Sequence, residues 1–257
     1  MIYDYEYFKR EILKMSSIDL NCYKERQMKR RIDTLIRNKG LSGYDKYVSA
    51  IKGSTELFDE FLSYMTINVS EFYRNPEQWT YLDKEVIPGL ISKFGTRLKI
   101  WSAACSTGDE PYSLVMALSK HLQLPQISIY ATDLDRSCLE QARQGLYQEK
   151  SIASVPEEFK KKYFTKIGNA YKISDQIKNR VNFQKHDLLK DAYPTDCHLV
   201  VCRNVLIYFT EETKEELFRK FYKCLAPGGT FFIGSTEQIM SYKDIGFQRM
   251  NSFFYQR

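Results

Sequence analysis

The sequence predicts an α/β fold, a mostly parallel sheet covered by helices on both faces, with an all-helical domain in front of it and a small β insert. Three observations carry that prediction. Up to about residue 66 the chain shows helix signals only. From Arg97 onward, short β-rich runs alternate with helical stretches of about 10–15 residues. The closing run GFQRMNSFFYQR is aromatic-rich strand material that would finish the sheet as an antiparallel hairpin. The expected boundaries are a helical domain over 1–66, a connecting segment over 67–96 and the sheet domain over 97–257, with the insert at about 165–184.

Taken in order, Tyr3–Lys14 reads as one helix and Cys22–Asn38 as a second, stopped by Gly40. Ser54 is placed to cap a third, whose inner face is Leu57, Phe58, Phe61, Leu62 and Met65. Pro76 opens a longer helix to about Phe94 that buries Trp79, Leu82 and Val86. RLKIWSAA is then a strand, followed by a turn and a helix from about Glu110 to His121. ISIYATD is the next strand, and Leu134–Gln144 the next helix. Ser151–Gln184 breaks the rhythm with a polar helix around Glu157–Tyr163 and β-like pieces at AYKI and RVNF, hence the insert. CHLVVCRN is a third clear strand, Glu211–Leu225 a helix, and APGG a turn into the strand TFFIGS.

With 43% hydrophobic and 27% charged residues, the 257-residue chain can bury a core of ordinary size. No apolar run approaches the ~18 residues that span a membrane, so no direct membrane insertion is expected. The start, MIYDYEYFKREILKM, has acids and aromatics throughout and reads as neither signal nor transit peptide, which points to the cytoplasm. The six cysteines are scattered and accompanied by three histidines, so reduced thiols are expected and no metal site. The net charge of +6 favours an acidic partner, which composition leaves open among nucleic acid, anionic lipid and protein.

Chemistry gathers at the strand ends. The run from Ser102 to Gly108 is a loop of small residues leading into a helix, which lets a ligand approach the backbone and meet unpaired N–H groups. It lacks the G-x-G-x-x-G glycines, so a dinucleotide site is not supported. Asp133 closes the next strand, where a carboxylate can accept from both hydroxyls of a ribose. Asp135 suits the competing role of helix cap better, leaving Asp133 for a ligand. Asp187 and Leu188 follow a third strand, where they could hold an adenine or merely solvate a loop. Arg203, Asn204 and Tyr208 follow a fourth. Ligands of such sheets bind beyond the carboxyl ends of the strands, so polar groups at four of them point to a nucleoside-type ligand.

The runs NVSEFYRNPEQW, WSAACSTGDEPYSLVMAL, ATDLD, CRNVLIYF and LAPGGTFFIGSTE stand in the order and approximate spacing of the CheR family of chemotaxis receptor methyltransferases, which the chain resembles over nearly its whole length. The resemblance implies a Rossmann-like class I methyltransferase sheet and S-adenosylmethionine as methyl donor, with S-adenosylhomocysteine as product. It implies that Asn68, Ser70 and Arg74 close over the donor and that Glu110 lies near its amino-acid end. Asp133 would take the ribose, Asp187 and Leu188 the adenine, and Arg203 and Asn204 the rest of the pocket. Position 187 departs from the family's frequent Asn and adds a charge.

The resemblance further implies transfer to glutamate side chains on the cytoplasmic helical domains of chemotaxis receptors. A glutamate is ionised at neutral pH, its free pKa being about 4.3, so this chemistry needs no general base. It needs the carboxylate desolvated, aimed and charge-compensated, for which arginine is suited. Arg74 and Arg203 are the candidates for charge and Tyr208 for positioning, against the alternatives of a surface arginine and a core aromatic. On the second helix, Arg26, Arg30 and Arg37 cluster opposite Met28, Ile32, Leu35 and Ile36, a stripe that is either a solvated face or a dock for the acidic receptor. A monomer is expected, with no nucleic acid. The short connection TKIGNAYKI suggests that no peptide tether at the receptor's C-terminus is gripped. Two rivals stay in view: a methyltransferase acting on RNA or another acidic partner, and a non-catalytic S-adenosylmethionine-binding regulator.

Overall fold

A computed structural model describes residues 3–257, in two units: one reaches Asn68 and takes in Tyr208–Glu215, and the other holds Val69–Ile207 and Glu216–Arg257.

The first unit is helical: α1 (Tyr5–Ser16), α2 (Glu25–Asn38), α3 (Tyr44–Lys52) and α4 (Thr55–Thr66). Asp4 caps α1 and Ser54 caps α4, each accepting a backbone N–H three residues on. Gly40, at φ 67, ends α2 as expected, and Met28, Ile32, Leu35 and Ile36 form its buried face. A short 3-10 turn, Leu20–Cys22, occupies the start predicted for α2. Helix α3 was not anticipated; Tyr47, Val48 and Ile51 bury it against α1 and α4. The core is aromatic, with Phe8 wholly buried and its ring 5.3 Å from that of Tyr44 and 5.9 Å from that of Phe61.

In the second unit, α5 (Pro76–Tyr81) and α6 (Ile87–Phe94) are one helix interrupted by a π turn over Leu82–Val86. Pro88 explains the interruption: its ring would crowd the carbonyl four residues back, and the wider turn relieves that clash. Next come β1 (Ile100–Ala103), α7 (Asp109–Leu118), β2 (Ile129–Asp133), α8 (Arg136–Gln144) and β3 (Leu146–Gln148). They are followed by α9 (Glu157–Tyr163), β4 (Phe164–Ile167), β5 (Ala170–Ile173), α10 (Asp175–Lys178) and β6 (Val181–Lys185). The chain ends with β7 (Cys197–Cys202), α11 (Glu211–Cys224), β8 (Leu225–Ile233), α12 (Tyr242–Ile245), β9 (Gln248–Arg249) and β10 (Phe254–Gln256).

The main sheet has the order β6-β2-β1-β7-β8-β10-β9. Its pairs from β6 to β8 are parallel, while β10 runs antiparallel to both β8 and β9. This is a mostly parallel, Rossmann-like sheet, with the closing antiparallel hairpin where the aromatic run predicts it. Two sequence readings are corrected. Val181–Lys185, read with the insert, is an edge strand of the main sheet because it pairs in parallel with β2. The insert sheet instead joins β3, β5 and β4, and so starts earlier, at Leu146. The APGG run, read as a turn, belongs to β8 beside an irregularity in its pairing with β7.

Candidate active site

Strand order reverses between β1 and β7, since β2 and β6 extend one way and β8 the other. A sheet of this kind opens a crevice at that point, beyond the carboxyl ends of the strands. Four loops therefore meet there: those after β1, β2, β6 and β7.

The loop after β1 is tied to β2 by the Cys105 N–H, which donates to the Thr132 carbonyl at 2.9 Å. Ala104 (φ 58), Ser106 (φ 49) and Gly108 (φ 87) all lie in the left-handed region. At Gly108 a side chain is also barred by space, as a Cβ would stand 2.8 Å from that of Ala142. Backbone strain of this sort costs about 1–3 kcal/mol per residue and collects at functional sites. Asp133, at the end of β2, accepts the Ser106 N–H at 2.7 Å on one oxygen and the Asp135 N–H at 2.9 Å on the other. It is thus not free, as the sequence suggests; it anchors the loop, with the Leu134 N–H also drawn to it, and keeps part of its acceptor capacity. Burial pushes its pKa up to about 6, against the pull of those N–H groups. Asp135 caps α8 as expected.

The segment from Val69 to Asn75 is a strap held at several points. Ser70 hydrogen-bonds the buried carboxylate of Asp109, whose pKa burial raises to about 6. The Tyr73 N–H donates to Ser113 Oγ at 3.1 Å, and the Phe72 N–H to the Ser151 carbonyl at 3.1 Å. Tyr73 (φ 51) and Asn75 (φ 59) are again left-handed.

Arg203 fastens the other end of the strap. Its Nη2 donates to the Arg74 carbonyl at 2.7 Å, to Gln78 Oε1 at 2.8 Å and to Asn75 Oδ1 at 3.2 Å. Its Nη1 lies 3.6 Å from Glu110 Oε2, while Ser102 Oγ donates to the other Glu110 oxygen at 2.9 Å. Burial pushes Glu110 up and Arg203 down, each opposed by the other; a guanidinium keeps its proton because its ordinary pKa is so high. The Arg203 side chain is 2% exposed and is committed to protein partners. The guanidinium of Arg74, by contrast, makes one long bond, 3.4 Å, to the Val69 carbonyl.

The remaining predicted residues are less uniform. Asn204 (φ 61) donates weakly through Nδ2 to Thr236 Oγ1 at 3.4 Å. Asp187 turns back on its own loop, accepting the Leu189 N–H at 2.9 Å and lying 3.8 Å from Lys190 Nζ, while Leu188 is buried. Asn68 ends the first stretch of the helical unit, and Tyr208 also belongs to that unit. Tyr208 lines a cavity of about 270 Å³ with Lys24, Gln27, Met28, Arg30, Arg31 and Ile67, and its carbonyl accepts the Lys24 N–H at 2.9 Å. Arg26, Arg30 and Arg37 are all exposed, but Arg37 lines a separate cavity with Asp33 and Tyr44.

Two acids escaped the sequence reading: Asp109, which holds Ser70, and Glu237, which accepts N–H groups from Asn204, Leu206 and Gly234. The rule that picks out Asp133, an acid just past a strand end, would have found Glu237 too, a few residues past β8. Among the described residues, Ser106 Oγ and Arg203 Nε are buried polar atoms at the strand ends that have no protein partner. With the remaining lone pairs of Asp133 and the small residues after β1, they suit a ligand rich in hydroxyl and charged groups. A cleft of about 700 Å³ lies instead at the amino ends of β1 and β2, and none of the predicted residues line it.

Residues 68–254 match the family described as "CheR methyltransferase, SAM binding domain", and residues 3–66 match "CheR methyltransferase, all-alpha domain". The chain belongs to the CheR methyltransferase family. It is 41% identical over 252 residues to the chemotaxis protein methyltransferase of Listeria innocua, covering 98% of this chain and 96% of that one. The chemotaxis protein methyltransferase of Borreliella burgdorferi is 30% identical over 241 residues, 89% of this chain and 85% of the relative. Membership makes this an S-adenosylmethionine-dependent methyltransferase of chemotaxis. No described helix is long and apolar enough to cross a membrane.

Proposed function

We propose that the chain transfers the methyl group of S-adenosylmethionine to glutamate side chains on the cytoplasmic helical domains of chemotaxis receptors, forming methyl esters. The observation that carries this reading is the contrast between the two arginines: Arg203 is committed to Glu110 and the strap, and Arg74 has a nearly free guanidinium.

Bound S-adenosylmethionine supplies an electrophilic methyl group on a sulfonium. Asp133 holds the ribose hydroxyls on its remaining lone pairs, and Glu110 and Arg203 Nε receive the amino-acid end. Asp187 and Leu188 flank the adenine, with Ser70 and Asn204 completing the enclosure. Ser70 acts from its bond to Asp109, so its placement is set by that acid. Arg74 grips the incoming glutamate carboxylate and offsets its charge. Arg203 is better read as the clamp that sets where Arg74 stands than as a second grip on the substrate. No side chain has to remove a proton, because a glutamate is already ionised at neutral pH. The exposed Arg26, Arg30 and Arg37 offer the receptor's acidic helices a complementary surface. The protein acts as a monomer in the cytoplasm on this reading.

The test is transfer of labelled methyl from S-adenosylmethionine to receptor-bearing membranes, followed by mild alkali. Volatile methanol identifies a carboxyl ester, and Arg74→Ala should lower transfer at least about 100-fold. Alkali-stable label would move the substrate to an amine or RNA. Binding of S-adenosylhomocysteine without transfer to any receptor would instead leave a regulator.

A further inference from the structure

Glu237 is buried, 7% exposed, between the loops that follow β7 and β8. Its Oε1 accepts the Leu206 N–H at 2.8 Å; its Oε2 accepts the N–H groups of Asn204 at 3.0 Å and Gly234 at 2.7 Å. Three backbone donors converging on one carboxylate favour its ionised form, against the burial that pushes the acid up. Arg203 acts in the same direction as the donors.

The backbone gathered in this way would not persist unaided. Asn204 is left-handed, at φ 61, a region that few side chain-bearing residues enter and asparagine enters most readily. The two loops also meet backbone to backbone. A Cβ on Gly234 would stand 2.7 Å from Asn204 N and 2.8 Å from Glu237 Oε2, so this position has no room for a side chain. Immediately beyond, the chain makes the 3-10 turn Leu206–Tyr208, which carries Tyr208.

We infer that Glu237 is a positioning residue for methyl transfer: as a carboxylate it locks the Asn204–Leu206 loop in the conformation that presents Asn204. The inference rests on the proposed reading of the site and deepens it. Glu237 acts through the three N–H groups and touches neither donor nor substrate. A glutamine in its place keeps the shape but has one oxygen. Turned to serve Asn204 and Gly234, its amide NH2 confronts the Leu206 N–H, so the end of the loop nearest Tyr208 loses its acceptor.

Hydrogen exchange over residues 203–209, S-adenosylhomocysteine binding and steady-state transfer are compared in the parent, Glu237→Gln and Glu237→Asp. In Glu237→Gln, exchange should quicken about tenfold or more and kcat should fall about 30-fold, as for a buried donor left without its acceptor. The product Kd and the receptor KM should move less than about threefold, and Glu237→Asp should recover part of the loss. Unchanged exchange at 203–209 overturns the inference whatever the activity. A fall in transfer matched by an equal rise in product Kd also overturns it, because the residue would then act on donor binding alone. Should Glu237→Gln not fold, Gly234→Ala keeps the carboxylate and pushes on the same N–H. It must then quicken exchange at 203–209, and failure to do so counts against the inference. A parent that transfers no methyl to receptors sinks the substrate reading, while the exchange comparison still decides Glu237.

Discussion

In the helical unit, Glu11 lies between Lys52 and Lys14, which hold its carboxyl down at about 2, whereas burial at the strand ends of the sheet unit lifts Asp109 and Asp133 to about 6. The same side-chain chemistry is driven in opposite directions because one unit leaves its acids beside water and cations and the other encloses them among backbone donors. The first arrangement tunes solubility and surface charge. The second spends stability on holding acceptors and one clamped guanidinium in fixed places, as a pre-organised site must.

The sharpest way to break this contrast is to remove the buried cation of the sheet unit. Arg203→Met preserves bulk but leaves Glu110 without its cation and the Arg74 carbonyl and Gln78 Oε1 without their shared donor. Breaking one side of a buried pair costs about 3–5 kcal/mol, and methyl transfer should fall more than about 1000-fold. Arg203→Lys should recover little, because a single ammonium cannot span Glu110 and the strap together. Thermal unfolding and single-turnover transfer measure both effects. A lysine variant with the parent's midpoint and rate would mean that Arg203 is not the clamp described here.

The next effect comes from pH. Asp109 and Asp133 have folded pKa values raised to about 6, above the unfolded value of about 3.9. The folded state therefore holds their protons more tightly. Their contribution to stability is fully present below about pH 4 and is lost as pH rises through about 6. On the proposed reading donor binding should run the other way, since only the carboxylate of Asp133 keeps its uncommitted lone pairs as acceptors for the ribose hydroxyls. The Kd for S-adenosylhomocysteine should be flat above about pH 7 and rise up to about tenfold per unit as pH falls below 6. Titration calorimetry from pH 5 to 8 measures this, with Asp133→Asn expected to bind more weakly and to flatten the profile. A parent affinity independent of pH across that range would show that neither acid changes protonation on binding.

How much of this was legible in the sequence depends on how local the cause is. Ser54 and Asp135 cap the helices they were expected to cap, and the buried face of α2 falls on the expected residues, because caps and helical periodicity act within a few positions. Helix α3 was missed: its N-cap is Gly43, which has no side chain to signal a start, and its apolar face is only Tyr47, Val48 and Ile51. Strand β6 was assigned to the insert because the choice between β2 and the insert is a pairing between residues some 50 apart, which no local pattern encodes. At the site, residue types at strand ends were readable and their commitments were not. Nothing near Arg203 in the chain announces that it spends its guanidinium on Arg74, Asn75 and Gln78, 125 to 129 positions earlier. Glu237 likewise becomes a hub only when β7 and β8 lie side by side.

The smallest expected effect tests the helical side of the comparison. Glu11 pairs with Lys52 at 2.5 Å and with Lys14 at 2.9 Å. Its lowered pKa places its stabilising contribution above the unfolded value, near pH 4, and removes it as pH falls towards about 2. This is the opposite slope to that of Asp109 and Asp133. At neutral pH, however, ion pairs beside water exchange one good solvation for another and are screened by salt. Glu11→Gln should therefore shift the unfolding midpoint by no more than about 2 °C at low salt, and by less as salt is added. A larger, salt-insensitive shift would mean that Glu11 and its lysines form a structural centre like the one at the strand ends. The division between a water-facing helical unit and a sheet unit organised around enclosed charge would then fail.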